Sequence, residues 1–359
     1  MTRTFTYTDA GVNREQRHEA KKALKILEKT YKHSQEGQVL HLPYSNIFPQ
    51  TNNLYLDLVI EGVGTKVLIA QLANQYDTVG IDAVAMAVND VIRSGATPLA
   101  ISDNIHAQAS NPELVMHWLE GIAKGAIQAG CPVTSGEIGD VAEIIKGIAE
   151  GVGFDMIVAA IGQVKKEKII TGKNIRPNDP IIGLRSSGLH SNGITLARKI
   201  LFKHWGGKYE PFAKIDGLDR ELVYEVLEPT KIYVNPFLRI CEELFIKAAV
   251  HVTGDAYLKF DNLARSSPGI GFEFTNFKPH PIFHVIQETA DQLGFVITDE
   301  EMFRTFNMGW GFAIIVDKNG KEKALDILQR TGVEAEQIGK VTSTKKIEIR
   351  HDGKKLKLK

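Results

Sequence analysis

Strand-like and helix-like segments alternate along the whole chain, and this alternation constrains the fold more than any other feature. An apolar strand at 54–60, with every second residue on one face, is followed by a helix at 66–76. A continuous apolar strand is predicted at 156–164, and the pattern then restarts with a strand at 180–187 and a helix at 194–202. Because strands and helices mix in both halves, the fold class is predicted to be α/β (α+β).

The length of the chain and one polar segment predict two domains. A chain of 359 residues is about twice the usual size of a domain. The segment 165–179 is polar and contains Gly172 and Pro177, so we place the boundary there. The expected domains are 1–165 and 166–359, each a mixture of sheet and helix.

Smaller signals mark individual elements. Asn111 before Pro112 predicts a helix start, and Gly130 predicts the end of that helix. The last residues predict a β-hairpin closed by Asp352 and Gly353. Further helices are predicted over 13–31, 80–96, 231–249, 281–293 and 321–330.

Composition excludes several classes of function. Lys and Arg together number 43, as do Asp and Glu, so the chain lacks the basic surplus typical of nucleic-acid binding. The two cysteines, Cys131 and Cys241, are too few for a disulfide framework or a zinc site. No apolar run reaches the roughly eighteen residues of a membrane span. We therefore expect a cytoplasmic protein with neither nucleic-acid nor membrane partners.

A glycine-rich turn, Glu61-Gly62-Val63-Gly64-Thr65-Lys66, connects the first strand to its helix. Gly62 and Gly64 let backbone amides approach an anion closely, and the helix start adds its positive dipole end. Lys66 is a candidate phosphate ligand, and Glu61 a candidate magnesium ligand. The turn is not a P-loop, since GxxxxGK[ST] does not occur in the chain. The alternative is an ordinary tight turn.

The helix at 80–96 carries Asp82, Asn89 and Asp90 on one side. Magnesium takes oxygen ligands, so a carboxylate and an amide near the Glu61 turn are suited to a magnesium–nucleotide complex. The alternative is a solvated helix face, which commonly carries acids opposite an apolar stripe.

A second polar turn runs from Ser186 to Gly193 at the start of the second domain. Its short hydroxyl, amide and glycine donors lie before a helix, where an anion is favoured. His190 could donate to an oxygen that gains charge, or transfer a proton near neutral pH. The alternative is a helix cap with a surface histidine.

In this order, the motifs resemble the phosphoribosylformylglycinamidine cyclo-ligase family, also called aminoimidazole ribonucleotide synthetases. The resemblance extends over nearly the whole chain, and the segment from Phe303 to Gly309 favours this family within its superfamily. The matching segments are Tyr7–Val12, Gly62–Lys66, Asp77–Asp82, Val88–Asp90, Gly136–Glu137, Ser186–Gly193, Pro229–Val234, His251–Gly254 and Phe303–Gly309.

The chain departs from the family pattern at several positions. Glu61 stands where the family usually has Asp, and Ile138 replaces the Thr of a G-G-E-T motif. Asp255 and Ala256 replace two glycines of an H-I-T-G-G-G motif. A glycine-rich segment before the first strand is replaced by 41–53.

The resemblance implies an ATP- and magnesium-dependent cyclisation of a small ribonucleotide, in de novo purine biosynthesis. It also implies a homodimer in which first-domain strands pair, with the partner's segment 7–12 near the nucleotide. The implied metal ligands are Glu61 and Asp90, and the implied catalytic residues are His190, Lys66 and Asp90. The implied nucleotide-binding residues are Gly62, Gly64, Thr65, Lys66, Asn89, Asp90 and Glu137. The implied substrate-binding residues are Ser187, His190, Ser191, Asn192 and Gly193.

Two other functions remain open from the sequence. One is a different ATP-using enzyme of the superfamily, such as a thiamine-monophosphate kinase. The other is a non-catalytic nucleotide-binding paralogue, which only Glu61 and Asp255 favour.

Overall fold

A computed structural model of the chain describes residues 3–34 and 39–359. The short strand β1 (Arg3–Thr4) is followed by helix α1 (Arg14–Lys21), which continues as a 3₁₀ helix over Lys22–His33. Asn13 caps α1 by accepting a hydrogen bond from the amide of Gln16. The predicted helix at 13–31 is therefore confirmed in position, but its second half has 3₁₀ geometry. Neither α1 nor the 3₁₀ segment contains a buried residue.

The first large sheet is built from residues 40–165. Its strand order is β2-β3-β4-β7-β5-β6, with β5 and β6 parallel and the other neighbours antiparallel. The strands are β2 (Leu40–His41), β3 (Asn46–Thr51), β4 (Leu54–Gly62), β5 (Thr97–Ala107), β6 (Val133–Asp140) and β7 (Phe154–Lys165). The helices of this region are α2 (Val67–Ala73), α3 (Asp77–Ile92) and α4 (Pro112–Ala129).

One face of this sheet is covered by α3, against which α4 packs. The two helices approach so closely that a Cβ on Gly121 would lie 1.9 Å from the carbonyl oxygen of Asp77. The other face of the sheet is open, and Leu58 and Ile60 on β4 are 60% and 69% exposed. The capping of α4 by Asn111 and its end at Gly130, which has φ 70°, are confirmed.

The second large sheet is built from residues 180–357, in the order β15-β14-β10-β13-β8-β12-β9. The strands of this half are β8 (Pro180–Arg185), β9 (Ala248–His251), β10 (Gly271–Phe274), β11 (Phe295–Val296), β12 (Trp310–Ile315), β13 (Ala335–Thr342), β14 (Ile347–His351) and β15 (Lys354–Lys357). Its helices are α5 (Ile194–Leu201), α6 (Leu222–Leu227), α7 (Val234–Glu243), α8 (Phe260–Ser266), α9 (Pro281–Gln292), α10 (Asp299–Thr305) and α11 (Lys321–Arg330). The β11 strand pairs with β1 instead.

Two predictions for this half have different outcomes. The terminal hairpin is confirmed: β14 and β15 are antiparallel, and Asp352 and Gly353 both have the positive φ that its turn requires. The single helix over 231–249 is wrong, because α7 ends at Glu243 and residues 248–251 form the buried edge strand β9. Pairing with β12 satisfies the backbone of this short segment and outweighs its local preference.

The mixed α/β class expected from the sequence is confirmed. No helix in the described ranges has both the length and the apolar character required to cross a bilayer.

Candidate active-site cleft

A cleft of about 490 Å³ lies where the two sheet-and-helix units and α1 meet. Glu61 and Met86 come from the first unit, whereas Asn192 and the segment 253–262 come from the second. Helix α1 supplies Arg17, His18 and Lys21 at the remaining side. The side chains around the cleft include more cations than carboxylates, so its charge suits an anionic ligand.

The glycine-rich turn reaches this cleft at the end of β4. Gly64 has φ 69°, and an added Cβ there would meet no atom within 4 Å. A Cβ on Gly62 would make only ordinary contact with Ile157, at 3.6 Å. Packing within the protein therefore does not require a glycine at position 62. The missing side chain instead leaves the backbone there open to an approaching ligand. The hydroxyls of Thr65 and Thr195 lie 2.8 Å apart and join the turn to α5.

Lys66 does not face the cleft. Its side chain is fully buried, and its ammonium lies 2.9 Å from Oδ2 of Asp82 and donates to the carbonyl of Glu228 at 2.6 Å. Burial lowers the pKa of Lys66, against the opposing effect of Asp82. A contact between Lys66 and nucleotide phosphates stays a prediction, and it requires this ion pair to open.

The polar side of α3 is a buried connection between the two units. Oδ1 of Asp82 accepts hydrogen bonds from the amide of Thr230, at 2.8 Å, and from the hydroxyl of Ser191, at 3.0 Å. Asn89 accepts from the amide of Tyr233, at 2.8 Å, and donates to the carbonyl of Lys231, at 2.9 Å. The alternative of a solvated helix face is therefore wrong. We call Lys66, Asp82, Asn89, Ser191 and Thr230–Tyr233 the interdomain seam.

Asp90, at the end of the seam, is held by two cationic or basic partners. One oxygen lies 2.6 Å from the Arg93 guanidinium and the other 2.8 Å from Nδ1 of His251. Burial alone would raise the pKa of Asp90, but Arg93 and His251 hold it well below its usual value. Burial lowers the pKa of His251 to about 4, so its imidazole is neutral at pH 7.

Glu61 is the other carboxylate expected at a metal. Burial raises its pKa, and the negative charge of Asp90 raises it further. A cation bound between Glu61 and Asp90 would offset both the burial of the Glu61 carboxylate and its repulsion by Asp90. The donor set therefore fits a divalent ion. Across the described residues, no group of three or more His, Cys, Asp and Glu side chains is arranged to hold a metal. Magnesium would thus need ligands from a bound nucleotide or water in addition.

His190 lies at the centre of the second polar turn but is 1% exposed. Its Nε2 accepts a hydrogen bond from the amide of Ser187 at 3.2 Å, and its Nδ1 has no partner among the described residues. Burial holds its pKa well below the usual value, so the ring is neutral. A surface cap histidine, the alternative from the sequence, is therefore wrong. Its contact with a substrate stays a prediction.

The other predicted residues of this turn have separate positions. Ser187 donates to the carbonyl of Pro229 at 2.5 Å, whereas Asn192 lines the cleft. Gly193 has φ 79°, and a Cβ there would lie 2.2 Å from the ring of Phe306. Glu137 is exposed on the edge strand β6 and is not part of the cleft wall. The structure therefore brings Glu61 and Asn192 to one cleft but leaves Glu137 outside it.

Two cleft residues were not identified as site residues from the sequence. Lys259 donates to the carbonyl of His251 at 3.2 Å and to the hydroxyl of Thr253, and burial lowers its pKa to about 8. Arg17 lies on α1, 238 positions from its partner Asp255, to which it donates at 2.8 Å. No local pattern distinguishes either cation from an ordinary surface residue. The only signal in the sequence was Asp255 itself, the partner of Arg17, which stands where the family motif has glycine.

Comparisons with known proteins point to one family over most of the chain. Residues 47–164 match the family model of the AIR synthase related protein, N-terminal domain, and residues 176–352 match that of its C-terminal domain. The phosphoribosylformylglycinamidine cyclo-ligase of Pyrococcus horikoshii is 37% identical over 97% of this chain and 99% of the relative. The enzyme of the same name from Methanocaldococcus jannaschii is 37% identical over 94% of this chain and 93% of the relative.

Solved structures share the fold at low sequence identity. A HypE–HypF complex superposes with a TM-score of 0.58 at 17% identity, covering 87% of this chain and 92% of that one. T. maritima PurL complexed with ATP gives 0.58 at 16% identity, covering 91% of this chain and 47% of that one. These likenesses establish the architecture, whereas the sequence relatives establish the family. The chain belongs to the AIR synthase related family and, within it, to the phosphoribosylformylglycinamidine cyclo-ligases.

Proposed function

We propose that this protein catalyses the ATP-dependent cyclisation of formylglycinamidine ribonucleotide to 5-aminoimidazole ribonucleotide, with release of ADP and phosphate. The observation that carries the proposal is the 37% identity with a cyclo-ligase over 97% of the chain. The cleft adds independent support, because its surplus of cations suits two phosphorylated reactants.

The chemistry requires activation of a poor leaving group. The formamide oxygen of the substrate attacks the γ-phosphate of ATP, and the resulting iminophosphate is attacked at carbon by an internal nitrogen, which closes the ring and expels phosphate. The protein contributes positioning and charge neutralisation. Lys259 lines the cleft, and the turn with Gly62 and Gly64 directly follows Glu61 of the same lining, so both would hold negative charge there.

Magnesium neutralises the phosphate oxygens of ATP when it is bound. Glu61 and Asp90 are the residues that would hold it, with the amide of Asn89 fixing α3 against the second unit. Asp90 would have to exchange its contact with Arg93 or His251 for the ion. The likeness to T. maritima PurL complexed with ATP supports an ATP site on this fold.

ATP turnover with separate substrates tests the proposal. ADP release that depends on formylglycinamidine ribonucleotide, with formation of the imidazole product, is the expected result. Turnover with thiamine monophosphate alone would instead assign a kinase. Binding of ATP without turnover on either substrate would assign a non-catalytic paralogue.

The role of His190 is tested by His190→Ala, with its melting temperature as the control for folding. If the histidine stabilises the developing oxyanion, kcat should fall by roughly a hundredfold or more while ATP binding hardly changes. If it grips the substrate in ground and transition states alike, KM should rise with kcat nearly intact. Wild-type values of both parameters would remove His190 from the site.

The assembly proposed for this enzyme is a cytoplasmic homodimer formed through the first sheet. Its open face presents Leu58, Ile60 and Leu99, an apolar surface that a second copy would bury. Light scattering at micromolar concentration should give twice the mass of the chain, and a monomer would contradict the proposal.

Within one chain, residues 3–4 pair with β11 and the amide of Tyr7 donates to Glu301. Deleting residues 1–12 should abolish ATP binding if the partner's segment completes the site.

A further inference from the structure

The segment 14–33 contributes Arg17, His18 and Lys21 to the lining of the cleft, although little of the segment packs on the rest of the chain. It contains no buried residue, and Leu24, Ile26 and Leu27 are each more than half exposed. An isolated polar helix of this length is marginal in water, so other contacts must hold it in place. Because apolar packing is so limited, polar contacts have to supply this attachment.

Three of these polar contacts converge on the carboxylate of Asp255, and a separate one joins Tyr31 to Asn46. Oδ1 of Asp255 lies 2.8 Å from Arg17 and 3.5 Å from Arg14, and its Oδ2 lies 3.1 Å from Nε2 of His18. Arg14 is also held by Glu301, at 2.9 Å, so the first turn of α1 has a second attachment. Arg17 and His18 therefore depend on Asp255 more than Arg14 does.

The backbone at Asp255 has an unusual conformation for its residue types. Asp255 has φ 67° and the following Ala256 has φ 40°, both in the left-handed region that favours glycine. Two consecutive non-glycine residues in this region carry a conformational cost that other interactions must offset. The contacts of the Asp255 carboxylate with three basic side chains provide such an offset.

The C-terminal end of α1 carries a further cation of the cleft. Lys21 lines the cleft, and its positive charge acts on the carboxyl of Glu61 at the end of β4. Helix α1 therefore carries two cations of the cleft lining, Arg17 beside Asp255 and Lys21 about one turn later.

We propose that Asp255 is a positioning residue that latches α1 at the cleft, and that the latched helix directs Arg17 and Lys21 toward the anionic ribonucleotide substrate. The latch itself follows from the contacts of Asp255, whereas the role toward substrate rests on the proposed function. A substrate phosphate would meet both cations only while α1 is held, because neither side chain is fixed by apolar packing.

The test compares Asp255→Asn with Asp255→Gly. Asparagine keeps the shape and tolerates positive φ but removes the charge, whereas glycine removes the charge and the backbone strain together. In hydrogen–deuterium exchange, amides of α1 should exchange several-fold faster in both variants, up to about fivefold, the scale of a lost ion pair that is partly exposed. The KM for formylglycinamidine ribonucleotide should rise on the order of tenfold with kcat within about twofold, because ground and transition states lose the same contacts.

The matched control is Asp261→Asn. Asp261 lines the same cleft and pairs with Arg265 and Lys359, but among the described residues it makes no hydrogen bond or ion pair with α1, so α1 should exchange as in the wild type. Unchanged exchange of α1 in both Asp255 variants, or equal acceleration in the Asp261 control, would overturn the latch. Faster exchange with an unchanged KM would overturn the positioning role. A wild-type protein that does not turn over this substrate would refute the proposed function, while exchange of α1 would still decide the latch.

Discussion

Two acid–base pairs of similar chemistry serve the molecule in different ways. Lys66 and Asp82 in the interdomain seam are both fully buried, whereas Arg17 and Asp255 at the cleft are 38% and 14% exposed. Separating the buried pair would leave a charge without water or a counter-ion, which is strongly unfavourable. Water or an anionic ligand can replace either partner of the exposed pair at a small cost. Burial therefore separates a structural pair from an adjustable one.

This difference divides the walls of the cleft into a fixed part and a movable part. The seam connects α3 to residues 230–233 through hydrogen bonds that are largely buried. Helix α1, in contrast, is attached mainly through charged side chains at its surface. We therefore expect the two sheet-and-helix units to behave as one body, with α1 as the adjustable wall.

The largest effect is expected from Asp82→Asn. The substitution keeps an oxygen for Thr230 but leaves the buried ammonium of Lys66 without a counter-ion, so the free energy of unfolding should fall by about 3–5 kcal/mol. Denaturant unfolding measures this change. The double variant Lys66→Met, Asp82→Asn, which has no stranded charge, should recover most of the loss. A loss below about 1 kcal/mol in the single variant would show that the seam resembles the exposed pair.

The second effect concerns pH. The pKa of His251 is about 4 in the folded protein because of burial, against about 6.5 when unfolded, so the unfolded state binds more protons between these values. The free energy of unfolding should therefore fall as pH drops from 6.5 to 4, by about 3 kcal/mol from this residue alone. His190 adds a change in the same direction. In His251→Gln, the slope of the free energy of unfolding against pH should decrease by the equivalent of about one proton. An unaltered slope would contradict the buried neutral ring.

A smaller effect is expected at Lys259 in the cleft. Burial lowers its pKa to about 8, so its ammonium loses its charge as pH rises through that value. Affinity for ATP with magnesium should weaken between pH 7 and pH 9, on the order of 1 kcal/mol for one partly exposed charge. Calorimetric titration measures it. In Lys259→Arg, which stays charged, the dependence should disappear, and its persistence would place the titrating group elsewhere.

The smallest effect is expected from Asp255→Asn on global stability. The pairs that it breaks are partly exposed, and asparagine tolerates φ 67°, so the free energy of unfolding should change by less than about 1 kcal/mol. The same denaturant experiment as for Asp82→Asn gives the direct comparison. A loss as large as that of Asp82→Asn would mean that α1 is part of the folded core and not an adjustable wall.

Features that depend on a few neighbouring residues were predictable from the sequence. The cap at Asn111, the helix end at Gly130 and the turn at Asp352–Gly353 each rest on contacts within a few positions. The mixed fold class and the family followed from periodicity and from motifs in their order. The sequence could also identify Glu61 and Asn192, which the cleft brings together.

Only the tertiary structure decided which of these residues face the cleft. The helical periodicity of α3 places Asp82, Asn89 and Asp90 on one polar face. Residues more than 140 positions later in the chain bury that face. Likewise, the apolar alternation on β4 could not reveal that Leu58 and Ile60 lie on the open side of the sheet. Local sequence determines which side chains share a face, because the backbone repeat is short. What covers the face depends on distant segments, and burial then sets the charge and role of each side chain.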